Sequence, residues 1–113
     1  MPGWHVPTTA EWDALANAVG GTGVAGTRLK AANVSWATSW GGTDDYGFGV
    51  LPAGRRYSGS FDSLGSRANF WTATELSSAR AYYRSFNTDA SMLSGDGGKP
   101  NVAFSVRLVK DSA

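Results

Sequence analysis

The chain has no cysteine and one histidine, His5, among its 113 residues. The first absence excludes disulfides, thiolate metal sites and cysteine nucleophiles, but it does not fix the compartment. The second excludes a histidine metal cluster. Any Ser-His-Asp arrangement would depend on His5 alone, and His5 reads as an ordinary hydrogen-bonded or exposed side chain. Charge is also scarce, at 17% of residues and a formal net charge of +1. No global field therefore draws in nucleic acid or an anionic membrane. Arg55, Arg56, Arg67, Arg80 and Arg84 could gather into a local patch with Tyr57 and Tyr83, but scattered arginines read as solvated or paired. No apolar run approaches membrane-spanning length and no signal-peptide pattern is visible. No membrane insertion by this domain is expected.

Aromatic rings and glycine are abundant: five Trp, five Phe, four Tyr and fifteen Gly. Many large rings, much glycine and little charge describe a loop-rich fold of short strands pinned by aromatic side chains. The length fits one domain with one core, over residues 1–113. That domain is expected to be part of a longer exported protein.

One helix is clear. In "PTTAEWDALANAVGG", Thr8 and Glu11 have capping-box spacing, so Glu11 reads as a cap rather than a catalytic acid. Trp12, Leu15, Ala16 and Val19 then fall on one face, and Gly20-Gly21 ends the helix, which is expected over 7–19. A weaker helix is expected within "AGTRLKAAN", with Leu29 inward. Residues 33–57 read as loop anchored by Trp36 and Trp40, with a turn feeding a short strand. "NFWTATE" and "ARAYYRSFNT" read as strands, "SGDGGKP" as a turn, and "NVAFSVRLVK" as a closing strand with Phe104, Val106 and Leu108 alternating. Helices ahead of several short strands predict α+β with a twisted antiparallel sheet. The expected core is Trp4, Trp12, Leu15, Leu29, Trp36, Phe48, Trp71, Phe104 and Val106.

Chemistry-bearing motifs are few. Asp44 and Asp45 in "GTDDYG" read as an Asx-type turn, with a calcium site as the alternative. "GDGGK" lacks the first glycine of a phosphate loop, and "GGTG" follows a helix instead of a strand. Nothing assembles a nucleophile, a base and an orienting group. No cofactor is expected.

"GWHVPTTAEWDALANAVGG", "GTDDYGFGVLPAGRR", "GSFDSLGSRANFWTATE", "AYYRSFN" and "AFSVRLVKD" occur in the order typical of the Fibrobacter major paralogous domain family. They cover nearly the whole chain, which resembles that family. The resemblance implies a C-type-lectin-like fold, shared with formylglycine-generating enzymes and with variable proteins diversified by retroelements. It also implies an exported bacterial protein, surface-attached or secreted, in some cases as a lipoprotein, with an adhesive or ligand-binding role. Two enzymatic relatives are excluded by residues: one needs copper-binding cysteines, the other several histidines. Two departures stand out. Family members often carry cysteines ahead of "GWHVPT" and at the position of Leu108, so burial of Leu108 is expected to substitute. The calcium signatures of lectins, of the Glu-Pro-Asn and Trp-Asn-Asp kind, are absent.

The resemblance turns "ANFWTATE" into a central strand, with Trp71 in the core and Thr72, Thr74 and Glu75 bonded to neighbouring backbone. Relatives with this fold present ligand-facing residues late in the chain. Here that region is "AYYRSFNTDASMLSGDGGKPN", rich in Tyr, Ser, Asn, Asp and Gly, as adaptable binding surfaces are. Alternation puts Tyr82, Arg84 and Phe86 inward. Tyr83, Ser85, Asn87, Asp89, Ser91 and Met92 are then expected outward, with an exposed Trp40 as a further stacking platform. The expected function is non-catalytic binding of a glycan or a protein at the cell envelope or outside the cell. The rivals are a spacer or tip domain of a surface appendage or phage tail, a variable ligand-binding protein diversified by a retroelement, and a carbohydrate-active enzyme using Glu75 with Asp44 or Asp45.

Overall fold

A computed structural model describes residues 3–57, 60–98 and 102–110. The domain is α+β. Two helices, α1 (Thr9–Ala18) and α2 (Thr22–Leu29), follow a short strand β1 (Trp4–His5). A long irregular stretch leads to β2 (Arg55–Tyr57) and β3 (Ser60–Asp62). Then come β4 (Ala68–Glu75), β5 (Arg80–Phe86), β6 (Met92–Gly98), β7 (Val102–Ala103) and β8 (Val109–Lys110). The strands form three small antiparallel sheets, β4-β5-β6, β3-β2-β7 and β1-β8. Isolated parallel bridges, Gly54 to Ala68 and Phe70 to Ser105, tie the pieces to β4.

The first helix forms as its sequence dictates. Thr8 Oγ1 accepts from Glu11 N at 3.2 Å while Glu11 Oε1 accepts from Thr8 N at 3.0 Å, completing the capping box. Gly21 N, on a left-handed backbone, donates back to Ala16 O and closes the helix. Its buried face, Trp12, Ala16 and Val19, packs on the inner face of β4 and β5. There the Trp12 ring lies 5.4 Å from Phe70 and 6.2 Å from Phe86, centroid to centroid. The second helix begins earlier than expected, at Thr22. Its Leu29 is buried as expected, and Gly26 lets it approach the 90–91 backbone, where a Cβ would come within 2.5 Å of Ser91 O.

Several expectations are corrected. Residues 94–98 of "SGDGGKP" are strand, not turn, because β6 pairs along the whole of β5; residues 99–101 lie outside the described residues. Gly95 leaves room for the Tyr83 ring to lie across β6, since a Cβ there would stand 2.6 Å from that ring. The closing strand is broken into β7, the Ser105 bridge and β8, so its alternation does not bury Val106 or Leu108; both are exposed. Leu108 therefore does not fill the role given to a buried substitute. Trp4 and Trp36 are exposed as well, because each sits on a loop or two-residue strand with no layer above it. Leu15 and Phe48 are partly buried against the core, and Trp71 and Phe104 are half-buried.

Candidate functional site

The outer face of β4 and β5 carries the most developed aromatic surface. Trp71 pairs with Tyr83 across the strands, so both rings stand on the face away from α1. Phe104 lies over them, 4.6 Å from Trp71 and 5.0 Å from Tyr83, centroid to centroid. The β4-β5 register then shifts between Trp71 and Glu75, a bulge that Thr72 holds open. Its hydroxyl donates to Tyr82 O at 2.9 Å and accepts from Thr74 N at 3.2 Å. Ala73 N is freed to donate to Pro7 O at 2.9 Å, and Thr9 N donates to Thr74 Oγ1 at 3.0 Å. Bulges bend a strand and re-aim its side chains. Here the bend opens a groove of about 380 Å³ between Val6, Trp71, Ala73, Glu75, Ala81 and Val106.

The threonines of "ANFWTATE" are thus used on backbone, as expected, while Trp71 is part floor of a groove and part packing. The groove has an apolar floor and one carboxylate, Glu75, at its margin. Such a surface can stack a flat apolar face and accept hydrogen bonds at its edge. Asp44 and Asp45 do not line it. Asp44 Oδ1 accepts from Gly49 N at 2.9 Å in a loop with left-handed backbone at Asp44, and Asp45 lies 4.0 Å from Arg28. The structure therefore does not bring Glu75 together with Asp44 or Asp45 in this groove. Among the described residues no group of three or more His, Asp or Glu is gathered that could hold a metal.

The expected ligand face does not form one surface. Tyr83 stands in the aromatic cluster, half-buried. Ser85 is buried opposite Asn69, Met92 is buried in the core, and Trp40 is buried with its Nε1 donating to Val50 O at 2.8 Å. These three are corrections: Ser85 and Met92 face packed neighbours at one end of the sheet, and Trp40 is an anchor, not a platform. Asn87, Asp89 and Ser91 belong to a connecting loop, where Asn87 Oδ1 accepts from Asp89 N at 2.9 Å. Arg84 does face inward, as a buried fork on Asp13 at 3.0–3.2 Å. His5 Nε2 lies 2.8 Å from Glu11 Oε2, beside the groove wall at Val6.

Two features escaped the sequence. Lys30 is fully buried, donating to Asn87 O at 2.7 Å and Asp89 O at 2.9 Å, with its ammonium 4.8 Å from the Trp40 ring centroid. Burial holds its amine below the usual lysine value, and the Asp89 charge opposes that shift. No local pattern marks it, because its partners are backbone carbonyls 57 and 59 residues away. The second is Asn69, buried with both amide atoms unpartnered directly beside the aromatic cluster.

Fold and site together describe a small α+β domain with an aromatic surface groove built on a bulged strand. The chain belongs to the Fibrobacter succinogenes major domain family, whose model matches residues 2–110. Neither a search of curated proteins nor one of solved structures gives a match.

Proposed function

We propose that this chain is a non-catalytic ligand-binding or adhesion module with a C-type-lectin-like fold, carried by a bacterial surface or secreted protein. Its ligand is a glycan or a protein segment. The observation that carries the reading is the Trp71–Phe104–Tyr83 stack beside an open groove. The half-open Trp71 ring on the floor of the groove leaves apolar area for a ligand to cover, which supports binding. An appendage spacer has no use for such a floor. An envelope or extracellular location rests on the resemblance of the motifs and is part of the same proposal.

The test is a screen of immobilised glycans and envelope proteins with the wild type beside Ala73→Arg and Val106→Arg. Both positions are exposed and line the groove, so an arginine obstructs it without opening the core. The expected outcome is a ligand whose affinity falls at least tenfold in both variants at unchanged thermal midpoint. A ligand bound equally well by both folded variants would remove the groove from the proposal, and the absence of any ligand would favour the spacer.

A further inference from the structure

The arginines that look scattered in sequence separate into two groups in the fold. Arg84 is buried on Asp13 and Arg80 is paired with Asp96 at 2.7 Å. Arg55, Arg56 and Arg67 instead collect where three segments meet, residues 34–40, 51–54 and 61–67. Gly65 N donates to Pro52 O at 2.9 Å, and Gly54 N to Arg67 O at 2.7 Å. A Cβ on Gly54 would lie 2.6 Å from Asp62 O, and one on Gly65 would lie 3.7 Å from the Ala37 Cβ. Backbone this close makes the three segments one end of the molecule.

That end is apolar and projecting. Phe61 is 84% exposed, Leu64 74%, Trp36 56% and Leu51 53%. Single exposed apolar residues are ordinary, but four on adjoining segments, β3 and the loops beside it, mark an interaction surface. The charge beside them is predominantly positive. Arg55, Arg56 and Arg67 are accompanied there by one acid, Asp62, whose Oδ1 already accepts from Ser63 and Arg55 at 2.8 and 2.9 Å. The Ser63 hydroxyl first, then Arg55, hold the Asp62 carboxyl below its usual value, so it stays ionised and cancels one arginine. The guanidinium of Arg56 lies 5.7 Å from the Phe61 ring centroid, which places cation and ring in one unit.

We infer that this end of the domain docks on an anionic lipid surface, with Phe61, Leu64, Trp36 and Leu51 entering the headgroup boundary and Arg56 and Arg67 meeting the headgroup anions. A side chain that keeps 84% of its surface stands clear of the body. A fluid interface accepts projecting side chains of that kind, whereas a protein partner has to supply a matched hollow for each. The arginines select among lipids, because cations near an anionic leaflet are attracted over roughly a Debye length. The net charge of +1 conceals this end because most acids lie elsewhere in the chain.

The chain is tested by co-sedimentation with vesicles of phosphatidylglycerol and phosphatidylcholine, or of phosphatidylcholine alone, beside Phe61→Ser with Leu64→Ser, and Arg56→Glu. Binding is expected on the anionic vesicles, weaker in high salt, and reduced at least tenfold in both variants at unchanged thermal midpoint. Failure of the wild type to bind anionic vesicles overturns the inference, as does undiminished binding by the folded double variant. Sedimentation equilibrium without lipid supplies the remaining outcome. A dimer abolished by the double variant, in a protein that ignores vesicles, assigns this end to a second copy and rejects the lipid. Groove binding is measured separately, so either result leaves the other reading intact.

Discussion

The inner and outer faces of β4 and β5 are made by alternate residues of the same two strands, yet they are closed very differently. Ala68, Phe70, Arg84 and Phe86 meet a helix, which supplies the Trp12 ring and the Asp13 carboxylate, and all four are buried. On the other face the Phe104 ring lies over Trp71 and Tyr83, carried by an extended segment that runs beside β4 in the plane of the sheet, with Ser105 N donating to Asn69 O and Trp71 N to Ser105 O. One ring reaching over from the sheet edge does not seal that face around Trp71. Trp71 stays half-open, and Asn69 is buried without partners. Stability is concentrated on one face and the opportunity for binding on the other.

The largest effect should come from the closed face. Phe86→Ala removes a fully buried ring 6.1 Å from Phe70 and 6.2 Å from Trp12, and should cost about 3–5 kcal/mol in urea unfolding. A cost near 1 kcal/mol would mean that the inner face is not the core.

On the outer face, Gly95→Ala drives a Cβ to 2.6 Å from the Tyr83 ring, and should cost about 1–3 kcal/mol while altering near-ultraviolet circular dichroism. An unchanged aromatic spectrum would show that Tyr83 does not rest on Gly95. Asn69→Leu keeps the branched shape and removes two unsatisfied polar atoms, so it should stabilise the fold by about 1 kcal/mol. Destabilisation there would contradict the picture of an incompletely satisfied outer face.

The smallest effect concerns the groove wall at Val6, next to His5. Glu11 is held below its usual value, first by the Thr8 backbone N–H and then by His5. A carboxyl with a lowered folded pKa contributes stability that is full above its unfolded value, near 4.5, and is lost as pH falls through the folded value. Thermal midpoints of wild type and Glu11→Gln should therefore differ slightly at neutral pH and converge in acid. A gap that does not narrow as the pH is lowered would assign the effect to something other than this carboxylate.

Local patterns in the sequence carry much of the architecture. The capping box, the Trp12 stripe and the glycine stop lie within a few residues of one another, so the first helix is legible to within two residues at each end. The strand identities of β4 and β5 follow from their rings and branched residues, as does the inward placement of Arg84 and Phe86. The glycine-rich β6 was not legible, because turn and strand share that composition and only pairing with β5 decides between them. Around the groove, the outward placement of Tyr83 was legible and the coverage of its neighbours was not. Ser85 and Met92 sit on a strand and at a strand end whose coverage depends on distant segments, and Trp40 is claimed by the carbonyl of Val50.

By itself the sequence determined the family, the α+β class, the first helix and the exclusion of thiol and multi-histidine chemistry, because each follows from composition or from neighbours along the chain. Tertiary structure decided which faces were covered. It buried Lys30 on carbonyls more than fifty residues away, left Trp71 open beside a bulge and gathered three arginines among exposed apolar loops. The physical reason is that covering a face requires a second element, and where that element lies is set by long-range packing rather than by the period of the strand it covers.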